Sequence, residues 1–597
     1  MKEFTSTELR NTWKKFYSER GHIDAGTVSL VSDGSTGVLF NVAGMQPLMP
    51  YLLGKTHPLG NRLFNVQGCV RTNDIDSVGD ESHVTFFEMM GSWSLGDYFK
   101  KERTQWSYEL LTDVLGFAPD RLAATVFEGN EKAPRDTETA EYRIASGFSP
   151  ENIYYLPEED NWWGLEYGPC GPDSEMFYIT DKAPCGPDCR PGCSCGKYVE
   201  LGNDVFMQYE KHEDGTITPL QKKNVDTGWG LERILAFLHG TSDVYRTDLF
   251  TAAIAYIEKA AAKGYGEDAA VTKAMRIVAD HVRTSVMLIG DEARLVPSNV
   301  GAGYILRRLI RRAVRYARML DMTVENLKEL ALIYVNEVYA ESYPQLKENR
   351  DIIVDEFAKE CSRFESTLEK GIKEFNKIIR QRLEASADDK MLDGKSAFRL
   401  YDTFGFPIEL TVELAEENGF TVDTDGFNDA FKEHQEKSRS VAKDALKSGL
   451  ENTSEGSTKH HTATHLLNAA LKQVLGADTH QRGSKVSEDQ LRFDFNCDDK
   501  LTDEQLAAIE NVINGWISEG LAVTREEMPK EKAVEVGAEH EFIEKYPDIV
   551  SVYFIGEISK EICAGPHVEN ISTLGKFKIL KEKSSSRGVR RIVAAVE

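Results

Sequence analysis

VDTGWGLERI, residues 225–234, decides how this chain folds. The stretch is punctuated by Gly228 and Gly230 and then runs into a helix. Glycines at such a point let a ligand approach the backbone closely. Arg233, just inside the helix, is placed to meet a phosphate or an aromatic ring. Working back along the chain, Gly68–Arg71 leads into a polar loop, and Thr85-Phe86-Phe87-Glu88-Met89 follows it. Strand, loop, strand is the reading, with Arg71 entering the loop and Phe87 on the returning strand.

The usual nucleotide loops are missing. GCSCGKY at 192–198 is too short for a phosphate loop and has no Ser or Thr after Lys197. No Gly-x-Gly-x-x-Gly opens a helix after a strand. A nucleotide would therefore sit on something other than the common doubly wound sheets.

A length of 597 residues exceeds what one hydrophobic core supports, so several domains are expected. Short β-rich runs such as Arg121–Phe127 and Tyr198–Tyr209 fill the part up to about 245. Helical periodicity takes over from 246, in 271–288, 302–320 and 362–383. The polar stretch 438–459 reads as a helix end and linker, and a mixed α/β segment follows it. The expected division is 1–245, 246–452 and 453–597. The first 21 residues carry no secretory signal, and no apolar run is long enough to span a bilayer. Scattered cysteines suit a reducing cytosol.

The 71 basic and 97 acidic residues leave a net charge of −26, which argues against a nonspecific nucleic-acid coat. A specific RNA partner needs only a local basic face. Within 302–320, Leu306, Leu309, Ile310, Ala313, Ala317 and Leu320 fall at helical spacing toward a core. Arg308, Arg311, Arg312, Arg315 and Arg318 gather on the other side. Such a face is also what an ordinary solvated helix presents.

Two His/Cys pairs suggest a metal. His461 and His465 are four apart on a helical stretch, and Cys563 and His567 repeat the spacing. Three imidazoles and a thiolate suit tetrahedral zinc, although spacing alone is also compatible with chance or packing. Cys185, Cys189, Cys193 and Cys195 form C-x3-C-x3-C-x-C in a Pro/Gly-rich insert, 183–197. Structural zinc is the expectation there, against plain reduced thiols or an oxidation-sensitive loop.

Arg71 with TFFEM, then VDTGWGLER, resemble motifs 2 and 3 of class II aminoacyl-tRNA synthetases. The wording is similar to that of the alanyl-tRNA synthetases in NVAGM (41–45), GSWSLGDYFKKE (91–102), DNWWG (160–164), GPCGPDSE (168–175) and NDVFMQ (203–208). It continues in VPSNVGAGYILRRLIRRAVR (296–315) and LYDTFGFPIELT (400–411). HTATHLLNAAL, LRFDF and the tail from Cys563 resemble the family's editing domain.

The resemblance implies an α+β protein: an antiparallel class II sheet with helices, then a helical tRNA-recognition domain, then an α/β editing domain. It implies activation of alanine with ATP, Mg2+ on the triphosphate, and esterification of the tRNA. Arg71 would hold the α-phosphate and the alanine carboxylate, and Phe87 and Arg233 would sandwich adenine. Asp226 would bind the alanine ammonium, with Trp163, Asn203, Val205 and Gly228 closing the pocket to about a methyl group and Met45 contacting the substrates at its rim. Phe87, Trp163 and Val205 would otherwise be read as core. Asn299 and Asp402 match the pair that reads a G·U wobble in the acceptor stem, and Arg311, Arg312 and Arg315 would meet its phosphates. Asn299 could otherwise cap a helix, and Asp402 stand in a turn.

A pocket for alanine discriminates poorly against glycine or serine, since one methylene is worth only about 1–3 kcal/mol. A second, hydrolytic site is the remedy. The family implies zinc there on His461, His465, Cys563 and His567, with Gln481 as an editing glutamine.

Some features depart from the family. The loop TNDIDSVG after Arg71 lacks the Gly-Gly-Lys of some relatives, Trp229 stands for a usual Met, and Asp173 for a frequent Cys. The last weakens any metal role for Cys170. The sequence also stops where the editing domain does, so a monomer is expected, in the cytoplasm, with no membrane partner. A noncatalytic RNA-binding relative and a free-standing deacylase are the rivals. The presence of Arg71, Asp226 and Arg233 argues against the first, and the long N-terminal half against the second.

Overall fold

The computed structural model describes residues 4–32, 34, 37–164, 167–385, 390–434, 454–497, 499–539, 549–563, 565–586 and 588–596. The chain divides into two compact units, Met1–Thr424 and Asp425–Glu597. The expected boundary at 452/453 and residues 438–453 of the expected 438–459 linker lie outside the described residues, whereas 455–459 open a helix rather than continue the linker.

Among the described residues of the first unit, nine strands form one sheet. They are β1 (Ile23–Asp24), β2 (Arg62–Val70), β3 (Phe86–Leu95), β4 (Leu122–Phe127), β5 (Ile153–Leu156), β6 (Trp162–Gly164), β7 (Gly168–Ile179), β8 (Tyr198–Lys211) and β9 (Ile217–Gly230). The order is β1-β2-β3-β9-β8-β7-β4-β5, with β6 paired to β7. The central pairings are antiparallel, as expected, and only β1–β2 and β4–β5 are parallel.

Strand alternation gives the sheet two different faces. The register sets Trp93 opposite Asp226, Asp226 opposite Val205, Gly228 opposite Asn203, and Asn203 opposite Glu175. These residues, with Phe87 and Met89, therefore share one face. A Cβ on Gly91 would come within 2.3 Å of the Trp93 ring, and one on Gly228 within 2.8 Å of Met89 Sδ. Both glycines are thus needed for large side chains to lie flat across the strands.

The opposite face is packed and charged inside. Helix α1 (Ser6–Ser18) opens with a capping box between Thr5 and Glu8. It lays Trp13 against Trp229 with ring centroids 5.3 Å apart. Asp204 is fully buried and accepts from Arg143 (2.8 Å) and Ser107 (2.6 Å), with Arg103 at 3.4 Å. Removing one partner from such a set costs about 3–5 kcal/mol.

Helix α2 (Leu231–Leu238) follows β9 directly. Helix α3 (Ala269–Gly290) is tied to the start of β3 by Asp280, which accepts from the Thr85 amide (2.8 Å) and hydroxyl (2.7 Å). Helices α4 (Gly301–Met319), α5 (Arg350–Ala385), α6 (Gly394–Phe404) and α7 (Ile408–Glu417) follow, with a short parallel pair β10 (Met391–Leu392) and β11 (Thr421–Val422). The apolar residues expected to line the core side of α4 are all buried.

The expectation of an open arginine face on α4 is corrected for four of its five members, while Arg318 stays exposed with Glu369 at 3.7 Å. Arg308, Arg311, Arg312 and Arg315 are only 8, 8, 4 and 4% exposed. Arg311 donates to Glu360 (2.7 Å), Arg312 to Glu413 (2.8 Å), and Arg308 to Asp76 (2.6 Å). Arg315 pairs with Glu413 (3.3 Å) and Glu417. Carboxylates on α5, on α7 and in the loop after Arg71 neutralise this face, so Arg311, Arg312 and Arg315 are structural ion-pair partners rather than open phosphate contacts.

The second unit is α/β. Helix α8 (Glu455–Leu475), capped by Ser454, packs Leu466, Leu467 and Leu471 into a core with Phe493, Phe495 and Ile592. Helix α9 (Asp503–Glu519) adds Ile509 and Ile513. Strands β12 (Gln481–Val486), β13 (Leu491–Asn496), β17 (Phe577–Ser586) and β18 (Val589–Val596) form a sheet ordered β12-β13-β18-β17. Strands β14 (Val523–Pro529), β15 (Ile549–Ile555) and β16 (Ser559–Ile562) form another.

Candidate functional site

A cavity of about 290 Å³ opens on the glycine-bearing face of the first sheet. Met45, Arg71, Phe87, Trp163, Asn203, Val205, Asp226, Gly228 and Arg233 all border it, so the residues expected to handle ATP and alanine converge on one space. The guanidinium carbon of Arg71 lies 4.8 Å from the centre of the Phe87 ring. The Arg71 amide donates to Thr85 O (3.0 Å), which fixes the stem of the loop. Arg233 donates to Glu200 at 2.9 Å.

Asp226 sits at the bottom, 7% exposed, and accepts from Trp93 Nε1 at 2.7 Å. Burial pushes its carboxyl up to about 7, against the pull of the Trp93 hydrogen bond, and Asp204 adds to the rise. An ammonium arriving there would restore the carboxylate and complete an ion pair. Met45 and Val205 are buried, and with Trp163 they belong to one apolar cluster that narrows the same end. Asn203 donates to Asp173 (2.5 Å), which also accepts from Asn161 (3.1 Å). Burial pushes Asp173 up to about 7 despite those two donors. Asp173 thus orients the Asn203 amide, a role the Cys-for-Asp comparison did not suggest.

Several residues were missed in the sequence. Trp93 carries no local signal of its role, and its partnership with Asp226 follows from the β3–β9 register. Glu175 and Glu200 also border the cavity. Burial, then Glu200 and Asp173, push Glu175 well above the usual carboxylate range. A register shift, with Phe177 opposite Glu200 next to Met176 opposite Gly202, breaks the alternation on β8 and brings Glu200 in. His83 lines the wall as well, held by Asp80 at 2.5 Å, and that carboxylate raises its pKa.

Asn299 is exposed in the turn before α4 and accepts from Arg307, and Asp402 is exposed in the last turn of α6. Arg311 donates to Gly405 O, which joins α4 to the end of α6.

In the second unit, His461, His465, Cys563 and His567 offer ligand atoms all within 4.8 Å of one another. Cys563 Sγ lies 3.5 Å from both His461 Nε2 and His567 Nε2. Outer hydrogen bonds aim the rings: His461 Nδ1 meets Pro566 O (3.1 Å), and His567 Nδ1 meets Thr462 Oγ1 (3.2 Å). His465 Nδ1 is buried without a partner, and His465 Nε2 lies 3.6 Å from Glu561. Burial, then His461, depress His465 to about 3, and burial lowers His461 as well. Neutral imidazoles are the donor state a metal requires and a bound cation takes the thiol beside them as thiolate, so the set fits a tetrahedral ion. Gln481 opens β12, where its side chain donates to Ser484 (3.3 Å).

The four insert thiols also converge, with Cys185–Cys193 Sγ atoms 3.3 Å apart, Cys189–Cys195 3.6 Å apart, and all within 4.8 Å. The Lys197 amide, with the other thiols, lowers Cys195 to about 7. They lie in the connection between β7 and β8.

The model of class II (A) tRNA synthetases matches residues 8–491, and that of the threonyl and alanyl tRNA synthetase second additional domain matches 550–593. The alanine–tRNA ligase of Treponema denticola is 50% identical over 100% of both chains, and that of Treponema pallidum 48% identical over 99% of this chain and 98% of its own.

The chain belongs to the alanine–tRNA ligase family.

A relative from Prochlorococcus marinus is 35% identical across 99% of this chain but only 78% of its own length, so the family includes longer members. Within it, the cavity on the first sheet and the His/Cys centre are two chemically separate sites. Among the described residues, no helix is long and apolar enough to cross a membrane.

Proposed function

We propose that the chain activates alanine with ATP, transfers it to tRNA, and hydrolyses seryl- or glycyl-tRNA at the His/Cys centre. One observation carries the first part: Asp226, seated on Trp93, shares a small cavity with Arg71 and Arg233. In the first step an alanine carboxylate oxygen bonds to the α-phosphorus and the bond to pyrophosphate breaks. Arg71 offsets the charge developing on the α-phosphate, Phe87 and Arg233 hold adenine between them, and Asp226 takes the ammonium. Met45, Trp163, Asn203, Val205 and Gly228 leave room for little more than a methyl group. Mg2+ accompanies the triphosphate. The chemistry needs positioning and charge rather than a protein nucleophile.

Asn299 and Asp402 read the acceptor stem in this proposal, supported by their exposure, the first just before α4 and the second in the last turn of α6. Residues 1–245 carry aminoacylation, 246–452 tRNA recognition and 453–597 editing, with Gln481 assisting the last. Zinc is held by His461, His465, Cys563 and His567 and acts as a Lewis acid or substrate anchor when bound. A second, structural zinc is held by Cys185, Cys189, Cys193 and Cys195. The protein acts as a monomer in the cytoplasm, a compartment whose reducing chemistry suits the thiols that the two metal sites need.

The test is alanine-dependent exchange between pyrophosphate and ATP. Parent protein exchanges and Asp226→Ala does not. Absent exchange, or an unimpaired variant, overturns the assignment.

A further inference from the structure

The insert between β7 and β8 meets two separate stretches of chain that help to wall the first cavity. Lys182 Nζ donates to Glu81 at 2.9 Å. The next two residues, Ser82 and His83, border the cavity along with Arg71, Phe87 and Arg233. Their amides donate to Asp80 (2.9 and 2.8 Å), and Glu81 O accepts from the Val244 amide (2.9 Å), so this turn is tied together as one piece. On the other stretch, Arg190 Nη2 lies 4.0 Å from Asp160. Asp160 belongs to the short helix Glu158–Asn161, which leads directly into β6 and the cavity residue Trp163. A Cβ on Gly192 would come within 3.7 Å of Asp160 Oδ1, so the backbone of the insert also lies beside that carboxylate.

Both cations are held by the part of the insert that carries the thiols. The Cys193 amide donates to Arg190 O at 3.1 Å. Lys182 lies across Gly196, the neighbour of Cys195: a Cβ there would come within 2.7 Å of Lys182 Nζ. Gly196 has φ +75°, a second reason for glycine at that point. The base of the insert is closed as well. The Thr180 amide donates to Lys197 O, its hydroxyl to Gly196 O, and Lys197 Nζ to Thr180 O, each at 2.8 Å. Four converging thiols and a closed base make the insert a small self-contained unit with two cations on its outside.

We propose that the insert braces the first cavity, with Lys182 positioning the turn that carries Ser82 and His83, and Arg190 positioning the approach to Trp163. The inference rests on the aminoacylation reading above and assigns the insert a part in it. A wall made of loop has other conformations open to it, and a ligand that needs one of them loses apparent affinity in proportion to the rest. Each ion pair favours the conformation in which the wall faces the cavity. The two pairs end on different walls, so they serve different substrates. Ser82 and His83 share their side with Arg71, Phe87 and Arg233, the residues read as ATP contacts. Trp163 packs in the apolar cluster with Met45 and Val205, at the alanine end. Lys182 therefore acts on ATP and Arg190 on alanine, and neither touches a reacting atom.

The test uses the full chain with Lys182→Met and Arg190→Met made separately, and pyrophosphate–ATP exchange measured with ATP and alanine varied in turn. Lys182→Met raises the KM for ATP about threefold, the scale an exposed ion pair supplies, and leaves kcat and the KM for alanine within about 1.5-fold of the parent. Arg190→Met raises the KM for alanine by about the same factor and spares that for ATP. Lys182→Arg, which keeps the charge, keeps the parent's KM for ATP. Zinc content and melting temperature match the parent in all three variants. Unchanged KM values in both Met variants overturn the proposal. So does a joint rise of both KM values in either variant, or a loss of zinc or an earlier melt, since each would mark a general loosening of the fold. A parent protein that shows no exchange at all would instead strike the underlying aminoacylation reading.

Discussion

Arg312 on α4 donates to the backbone oxygen of Ile75 at 2.8 Å, which joins that helix to the loop that begins at Arg71. Its other arm holds Glu413 at 2.8 Å. Arg312→Met is expected to destabilise the protein by about 3–5 kcal/mol, because Glu413 loses its main partner. The KM for ATP should rise as the loop loosens. The slope of tRNA affinity against salt should stay unchanged, whereas loss of a phosphate contact would reduce it by about 1. Thermal melts and a salt titration check this, and a shallower slope would restore Arg312 as a phosphate ligand.

Asp226 gives a pH test. Its folded-state pKa, about 7, lies above the ordinary carboxylate value. Stability from the protonated form is therefore complete in acid and is lost as pH rises through about 7. Asp226→Asn should melt higher than the unliganded parent at pH 8, with a ceiling of about 4 kcal/mol, and the difference should vanish below about pH 4. The same variant should lose alanine-dependent exchange. In the parent, the KM for alanine should climb as pH falls below about 7.

Cys563→Ala removes the thiolate from the His/Cys centre. Purified variant should contain about one equivalent less zinc than the parent, lose seryl-tRNA hydrolysis, and retain alanine activation. Metal analysis with separate deacylation and exchange assays reads all three. Unchanged zinc content would show that the four residues are not its ligands.

The insert thiols act on a different element. Cys185→Ser with Cys193→Ser should remove about one further equivalent of zinc and speed amide hydrogen exchange at the Ile179 and Tyr198 ends of β7 and β8. Seryl-tRNA hydrolysis should persist. Equal zinc content in the parent and this variant would mean the loop carries plain thiols.

Local pattern was enough where a motif sits on one element or on two joined by a loop. Arg71 and Phe87 could be read as strand, loop, strand, and His461 and His465 as one helix face. Pairing across the chain was not legible. Trp93 meets Asp226 only through the β3–β9 register, and Glu200 enters through a register shift that interrupts period-two alternation. The arginines of α4 misled for the same reason. Their carboxylate partners Glu360, Glu413 and Glu417 lie far along the sequence, so a helical wheel of α4 alone shows a basic face.

The inward matching of those guanidinium groups has a kinetic consequence. A distant nucleic acid senses the whole chain, which carries −26. Two polyanions therefore repel during approach, and electrolyte weakens that repulsion beyond about 8 Å at physiological strength. First collisions with tRNA should quicken as salt is raised from dilute buffer, while the grip of the docked complex slackens. Association rate and affinity then move in opposite directions with ionic strength.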